Sequence, residues 1–292
     1  MSEAPPETPA PLPNHGLGVP KREFVRDPHG DPRHSRPCTR QHYKLIVAYD
    51  GTDFFGWQKQ EPKGEEPKRT VQGVLESTVR TFLRDPQITL HGASRTDSGV
   101  HAMGQAAAFQ AATPIPTERL AHAISSRLPD DIRVLSCEVA PDNFNVIGGA
   151  KTKQYRYRFH TGEHRPLFNR RYVYHTGYAM NLDAMRAAAA LFPGVKDLAA
   201  YTTAGHGRES TIREIHDCQI ETPAGYPGEV HVVISGNGFL YNTVRIIAGT
   251  LLEVGRGHFP PGQVTKAFEM KDRHYSGPTM PAVGLCLEWI KY

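Results

Sequence analysis

Tyr43-Lys44-Leu45-Ile46-Val47-Ala48-Tyr49 is an apolar, β-rich run closed by Asp50-Gly51. It predicts a strand ending in a turn. Behind Thr70, the residues Val71, Val74, Leu75, Val79 and Phe82 recur at helical spacing, and Thr70 has the chemistry of an N-cap. Strands are predicted at 88–91 and 104–109, a helix at about 116–127, and a further strand at about 132–139. The second half repeats the mixture. Residues 153–160 alternate as a strand, 182–191 form an alanine-rich helix, and 211–220 and 229–235 are strands. Phe239, Leu240, Val244, Ile247, Leu251 and Leu252 mark an amphipathic helix over 239–254. A short helix at 263–270 and a strand at 284–290 close the chain. Interleaved helices and strands predict an α+β protein, a mixed sheet with helices packed on it. We read two subdomains, 43–150 and 151–292, joined near 145–152.

The segment before them breaks the pattern. Nine of the 24 prolines lie within the first 40 residues, and strong hydrophobes are sparse there. Residues 1–42 are therefore read as a disordered, proline-rich tail. The opening Met1-Ser2-Glu3-Ala4-Pro5-Pro6 has neither a basic nor an apolar leader region, so no secretory signal is expected. No run of about 18 apolar residues suggests a membrane span. The chain has 292 residues and a net charge of +4, a mild bias that permits a nucleic-acid partner without identifying one. Cys38, Cys137, Cys218 and Cys286 are far apart and form no CxxC pair, which favours reduced cysteines in a cytoplasmic protein over a zinc site. His160 and His164 stand four apart without an acidic third ligand.

The densest polar segment, His91 to His101, falls between two predicted strands and includes Arg95-Thr96-Asp97-Ser98-Gly99. Its small residues allow close backbone approach to a ligand. Asp-Ser-Gly is also ordinary turn chemistry, so spacing alone leaves catalysis open. Tyr49 to Gln58 is rich in aromatics, suited either to base stacking or to plugging a core. Along Lys153-Gln154-Tyr155-Arg156-Tyr157-Arg158, strand alternation puts the tyrosines on one face and the arginines on the other. Arg245 sits within the apolar run Val244-Arg245-Ile246-Ile247, where a carboxylate partner is the natural guess.

Six segments, taken together, resemble the TruA family of tRNA pseudouridine synthases. Arg95-Thr96-Asp97-Ser98-Gly99-Val100-His101 is similar to its RTDAGVHA signature, and Tyr49 to Gln58 to its YDGTxFxGWQ opening. Thr70-Val71-Gln72-Gly73 matches its TVQG helix start, and Gln154-Tyr155-Arg156-Tyr157 its RYRY strand. Gly236 to Leu251 follows its GxxFLxxMVRxIVGTL helix, and Pro281 to Leu287 its PAxGLxL ending. The resemblance runs in order over about 43–292. It implies the pseudouridine synthase fold: a largely antiparallel central sheet flanked by helices, with a central RNA-binding cleft.

Residue by residue, the resemblance places Asp97 on the catalytic aspartate and Tyr155 on the tyrosine that packs against the target base. Arg245 falls on the arginine that pairs with the aspartate, Leu285 on a leucine lining the base pocket, and Arg95 on an arginine assisting extrusion of the uridine. It further implies a homodimer without metal or organic cofactor, acting on the tRNA anticodon arm at uridines 38 to 40. The reaction exchanges a C1′–N1 bond for a C1′–C5 bond. A carboxylate serves it either by attack at C1′ or by proton removal toward a glycal. The expectation is that Arg245 keeps Asp97 ionised against the effect of burial.

Three single residues and one short segment depart from the family pattern. Ser94 and Ser98 replace a glycine and an alanine, Thr243 replaces a methionine, and Phe144-Asn145-Val146-Ile147 stands where FHAR is common. These bear on substrate range more than on activity. Two rival readings are weaker. An aspartic protease would use Asp97-Ser98-Gly99, but it needs two carboxylates sharing a proton, and only one such tripeptide exists. A non-catalytic RNA-binding relative has no need of Asp97, Tyr155 and Arg245 together.

Overall fold

The computed structural model describes residues 39–62, 64, 66–203 and 209–292. All but the last residues of the proline-rich segment lie outside them, as does Cys38. In chain order the elements are β1 (Gln41–Tyr49), α1 (Val71–Leu83), β2 (His91–Gly92), β3 (His101–Ala111), α2 (Thr117–Ser125), β4 (Ile132–Ala140) and β5 (Thr152–His160). They continue as β6 (Tyr174–His175), α3 (Leu182–Ala189), β7 (Gly194–Asp197), β8 (Ile212–Glu221), β9 (Glu229–Gly236), α4 (Thr243–Gly255), α5 (Gln263–Met270) and β10 (Leu285–Lys291).

The strands form one mixed sheet in the order β4-β1-β3-β10-β5-β9-β8-β7, with β2 beside β3 and β6 beside β5. Most pairs are antiparallel. The pair that matters for the site is parallel: β10, the last strand, lies between β3 and β5, with Cys286 opposite His101. The closing strand thus ties the strands of the first half to those of the second.

The apolar alternation in β1 behaves as read. Tyr43, Leu45, Val47 and Tyr49 are all buried, and their face packs on the core. Thr70 caps α1, its hydroxyl accepting from the Gly73 amide at 3.3 Å. Asn181 does the same for α3 through the Ala184 amide.

Where the structure departs from the sequence reading, the cause is local. Ile88 and Leu90 are fully buried but outside the ladder, so the strand expected at 88–91 shrinks to β2. β3 starts at His101 rather than 104. β6 and β7, at two and four residues, are too short to show a period. α4 starts at Thr243 rather than 239, because Asn242 takes a left-handed backbone at φ 63°. Phe239 and Leu240 lie in the turn before it.

Candidate active site

The loop between β2 and β3 is held at nearly every residue. The Gln105 side chain, buried in β3, grips Ser94 from both sides: it accepts from the Ser94 amide at 3.1 Å and donates to the Ser94 carbonyl at 2.6 Å. Lys153 donates to the Ala93 carbonyl at 2.7 Å. The Tyr49 hydroxyl and the Thr96 hydroxyl bond each other at 2.7 Å, both buried.

The aromatic-rich segment after β1 forms the other wall. The Trp57 amide donates to Thr96 O at 3.0 Å, and Phe54 O accepts from Ser98 Oγ at 3.1 Å and the Gly99 amide at 3.2 Å. Gly56 sits at φ 87°, and a Cβ there would lie 2.7 Å from Thr96 O, so only glycine fits. The two alternatives for these aromatics separate by residue. Phe54 and Trp57 are core plugs, 2% and 1% exposed, whereas Phe55 is 52% exposed.

On this scaffold Asp97 presents its carboxylate to Arg245, in the first turn of α4, with Nη1 3.4 Å from Oδ2. The side chains are 25% and 18% exposed. Arg245 is itself fixed. Its Nε donates to Met280 O, its Nη1 also donates to Asn242 Oδ1 at 2.8 Å, and its carbonyl accepts from the Met280 amide at 3.3 Å. The left-handed Asn242 therefore both starts the helix and orients the guanidinium.

Burial raises the Asp97 carboxyl above the ordinary aspartate range, and the charge and hydrogen bond of Arg245 pull it back only in part. Arg245 opposes the rise, as expected, without reversing it. At 3.4 Å, and shared with Asn242 and Met280, the guanidinium gives Asp97 a single, long contact.

Tyr155 lies on β5, 6% exposed, with its hydroxyl 2.8 Å from Ser94 Oγ and its ring edge-on to Phe239 at 5.4 Å. Burial pushes its phenol up to about 12, and the nearby Asp97 charge adds to the rise. Leu285, at the start of β10, is buried opposite Tyr157 in the ladder, on the sheet face it shares with Tyr155. The Tyr157 hydroxyl donates to Pro281 O at 2.8 Å. The structure thus gathers Asp97, Arg245, Tyr155 and Leu285 from four separate segments. Arg95 is exposed on the same loop, with no hydrogen bond or ion pair to any described residue.

Arg156 lies on the face of β5 away from Tyr155, as the strand alternation predicts. There it bonds Glu288 and Glu221 and lies 3.1 Å from His231 Nδ1. Gln105 escaped the sequence reading altogether. Its only signal was a polar residue within the small apolar run of β3. In the Phe144–Ile147 segment, Phe144 packs on Tyr292 at 4.9 Å, Val146 is buried, and Ile147 is 55% exposed. Asn145 Oδ1 caps the turn by accepting from the Ile147 and Gly148 amides at 3.0 and 2.8 Å. Among the described residues His160 and His164 join no three-ligand cluster, and no helix is long and apolar enough to cross a membrane.

Comparison with known proteins covers the same elements. The family model described as tRNA pseudouridine synthase matches residues 45–147 and 188–292, spans that include the Asp97 loop, α4 and β10. A protein named tRNA pseudouridine synthase A from Caldicellulosiruptor saccharolyticus is 38% identical over 248 residues, 85% of this chain and 98% of that one. Those of the same name from Bacillus velezensis and Halalkalibacterium halodurans are 39% and 40% identical, covering 85% and 82% of this chain and 98% and 89% of their own lengths. With most of both lengths matched, and with the loop, arginine helix and closing strand inside the match, this chain belongs to the tRNA pseudouridine synthase family.

Proposed function

We propose that this chain isomerises uridine to pseudouridine in the anticodon arm of tRNA, at uridines 38 to 40, with Asp97 as the nucleophile. The observation that carries the reading is the pairing of a half-buried carboxylate with a fixed arginine, on a loop bonded to an aromatic ring of base size. Asp97 attacks C1′ as the C1′–N1 bond breaks. The freed uracil turns against Tyr155 and Leu285 and attacks C1′ through C5, breaking the bond from C1′ to Asp97 and releasing the carboxylate. The C5 proton leaves and N1 gains one, so atoms and electrons balance without an external redox partner. The isomerisation therefore needs no redox cofactor, and the family resemblance implies neither a metal nor an organic cofactor.

In this reading residues 43–150 form the subdomain carrying the Asp97 loop, and 151–292 complete the cleft. Arg95, exposed beside Asp97, helps draw the uridine from its stack, a step costing a few kcal/mol. The protein works as a homodimer in the cytoplasm. Incubating the full chain with unmodified tRNA and mapping pseudouridine by chemical derivatisation tests the reading. Modification within the anticodon arm is expected; no pseudouridine, or pseudouridine elsewhere only, overturns it.

The hydroxyl of Tyr155 is tied to Ser94 and raised to about 12, which makes it a poor proton shuttle near neutrality. General acid–base catalysis typically contributes about 10²–10⁴-fold. Tyr155→Phe is therefore expected to keep kcat within about tenfold and to lose about 1 kcal/mol of stability with its hydrogen bond. A loss beyond 10²-fold in single-turnover assays would assign the hydroxyl a chemical role.

A further inference from the structure

A groove of about 910 Å³ runs along α1. Its lining includes Lys59, Lys68, Arg69, Arg80 and Arg84 against the carboxylates of Glu61 and Glu76. The cations divide into two kinds. Lys59 bonds Glu61 and Glu76, Arg80 bonds Glu76 and Arg69 bonds Asp131, so these shape the wall. Lys68 and Arg84 have no carboxylate partner among the described residues. Arg84 ends α1 in a left-handed conformation, φ 54°, and is exposed.

Lys68 places its ammonium 5.5 Å from the centre of the exposed Phe55 ring. The backbone of Phe55 is pinned, its amide donating to Arg69 O at 2.9 Å and its carbonyl accepting from Gln60 at 3.0 Å. The next residue, Gly56, abuts Thr96–Ser98. The groove therefore begins at a cation, Lys68, that an aromatic face adjoins one residue from the Asp97 loop. It ends about 20 Å away, the length of a 13-residue helix, with another cation. A polymer with a π-face at one point and a negative charge every few ångströms fits that sequence of groups.

We propose that this groove is an RNA-binding track: a base of the substrate strand stacks on Phe55, and the phosphodiester backbone continues past Lys68 to Arg84. The proposal rests on the reading of tRNA as substrate. It adds a contact surface outside the residues that face the reacting uridine.

The test compares the full chain with Lys68→Gln/Arg84→Gln and with Phe55→Ala, using one unmodified tRNA. Each neutralised phosphate contributes roughly 0.7–0.9 to the slope of log Kd against log salt. The double charge variant should flatten that slope by about 1.4–1.8 and weaken binding by about 25- to 60-fold at about 0.1 M salt. KM should rise with Kd while kcat at saturation holds, the mark of lost uniform binding. Phe55→Ala should weaken binding about fivefold or more with the slope unchanged, because a stacking contact carries no charge.

Unchanged Kd and slope in the charge variant, with the parent active, overturn the track and leave the proposed function standing. Loss of affinity in the variants of a parent that makes no pseudouridine overturns the function and supports the track. If the charge variant releases polyglutamate but not tRNA, the groove takes acidic polypeptide and the RNA assignment falls.

Discussion

Asp97→Asn is expected to lower pseudouridine formation by about 10⁴-fold or more, the scale on which enzymes respond to loss of a nucleophile. tRNA affinity should stay within about twofold. The substitution preserves shape, and the amide oxygen still accepts from Arg245, so the loop has no reason to move. Its other restraints, from Gln105, Tyr49 and Trp57, do not involve the carboxylate. Stability should hold or rise. Because the folded pKa of Asp97 lies above its unfolded value, the ionised carboxyl costs stability at neutral pH, and the cost vanishes as pH falls below the unfolded pKa. The amide escapes that cost while giving up its attraction to Arg245. Single-turnover kinetics with filter binding read the effect. A variant turning over like the parent would remove Asp97 from the mechanism, and a variant that no longer binds tRNA would make it a structural residue.

How much of this was visible beforehand depends on which force sets each feature. Residues whose position follows from period and local chemistry were legible: the β1 alternation, the Thr70 cap, and the faces of Tyr155 and Tyr157. The Asp97–Arg245 contact joins residues 148 apart, and the apolar surroundings of Arg245 suggested only that it needed a carboxylate. The resemblance of six ordered segments supplied which one. Tertiary features were not legible. Nothing in the run of aromatics after β1 distinguishes Phe55, exposed, from Phe54 and Trp57, buried; contact with the Asp97 loop decides it. Strand alternation puts Arg156 on the face away from Tyr155, but does not show that Glu221, Glu288 and His231 claim it there from other strands. The direction of the Asp97 shift was out of reach for the same reason. It depends on how deeply a loop is packed and on how many acceptors compete for one guanidinium.

That competition sets the second large effect, expected for Arg245→Met. The guanidinium holds Met280, Asn242 and Asp97 at once. Without it the carboxyl keeps its burial and loses the one opposing charge among the described residues, so its pKa rises further. The charge and the hydrogen bond of Arg245 both favour the ionised form, and both go with the guanidinium. The acid limb of kcat/KM should therefore move to higher pH, since the ionised form is the nucleophile and a higher pKa depletes it at higher pH. At the plateau, loss of a positioned charge facing the reacting group should cost about 10²–10³-fold in kcat. Breaking a fully buried pair costs about 3–5 kcal/mol, and partial exposure lowers the expectation here to about 2–4 kcal/mol. Arg245→Lys should keep much of the pH profile but little of the stability, because an ammonium cannot reproduce the fork that reaches three partners. A parental acid limb and melting temperature in Arg245→Met would show that the pairing has no consequence. The decisive comparison is Arg245→Met made in the Asp97→Asn background. If the cost runs through the carboxylate, most of the destabilisation disappears there, and the part that remains belongs to Met280 and Asn242. An undiminished cost would assign Arg245 to holding the α4 entry rather than to tuning Asp97.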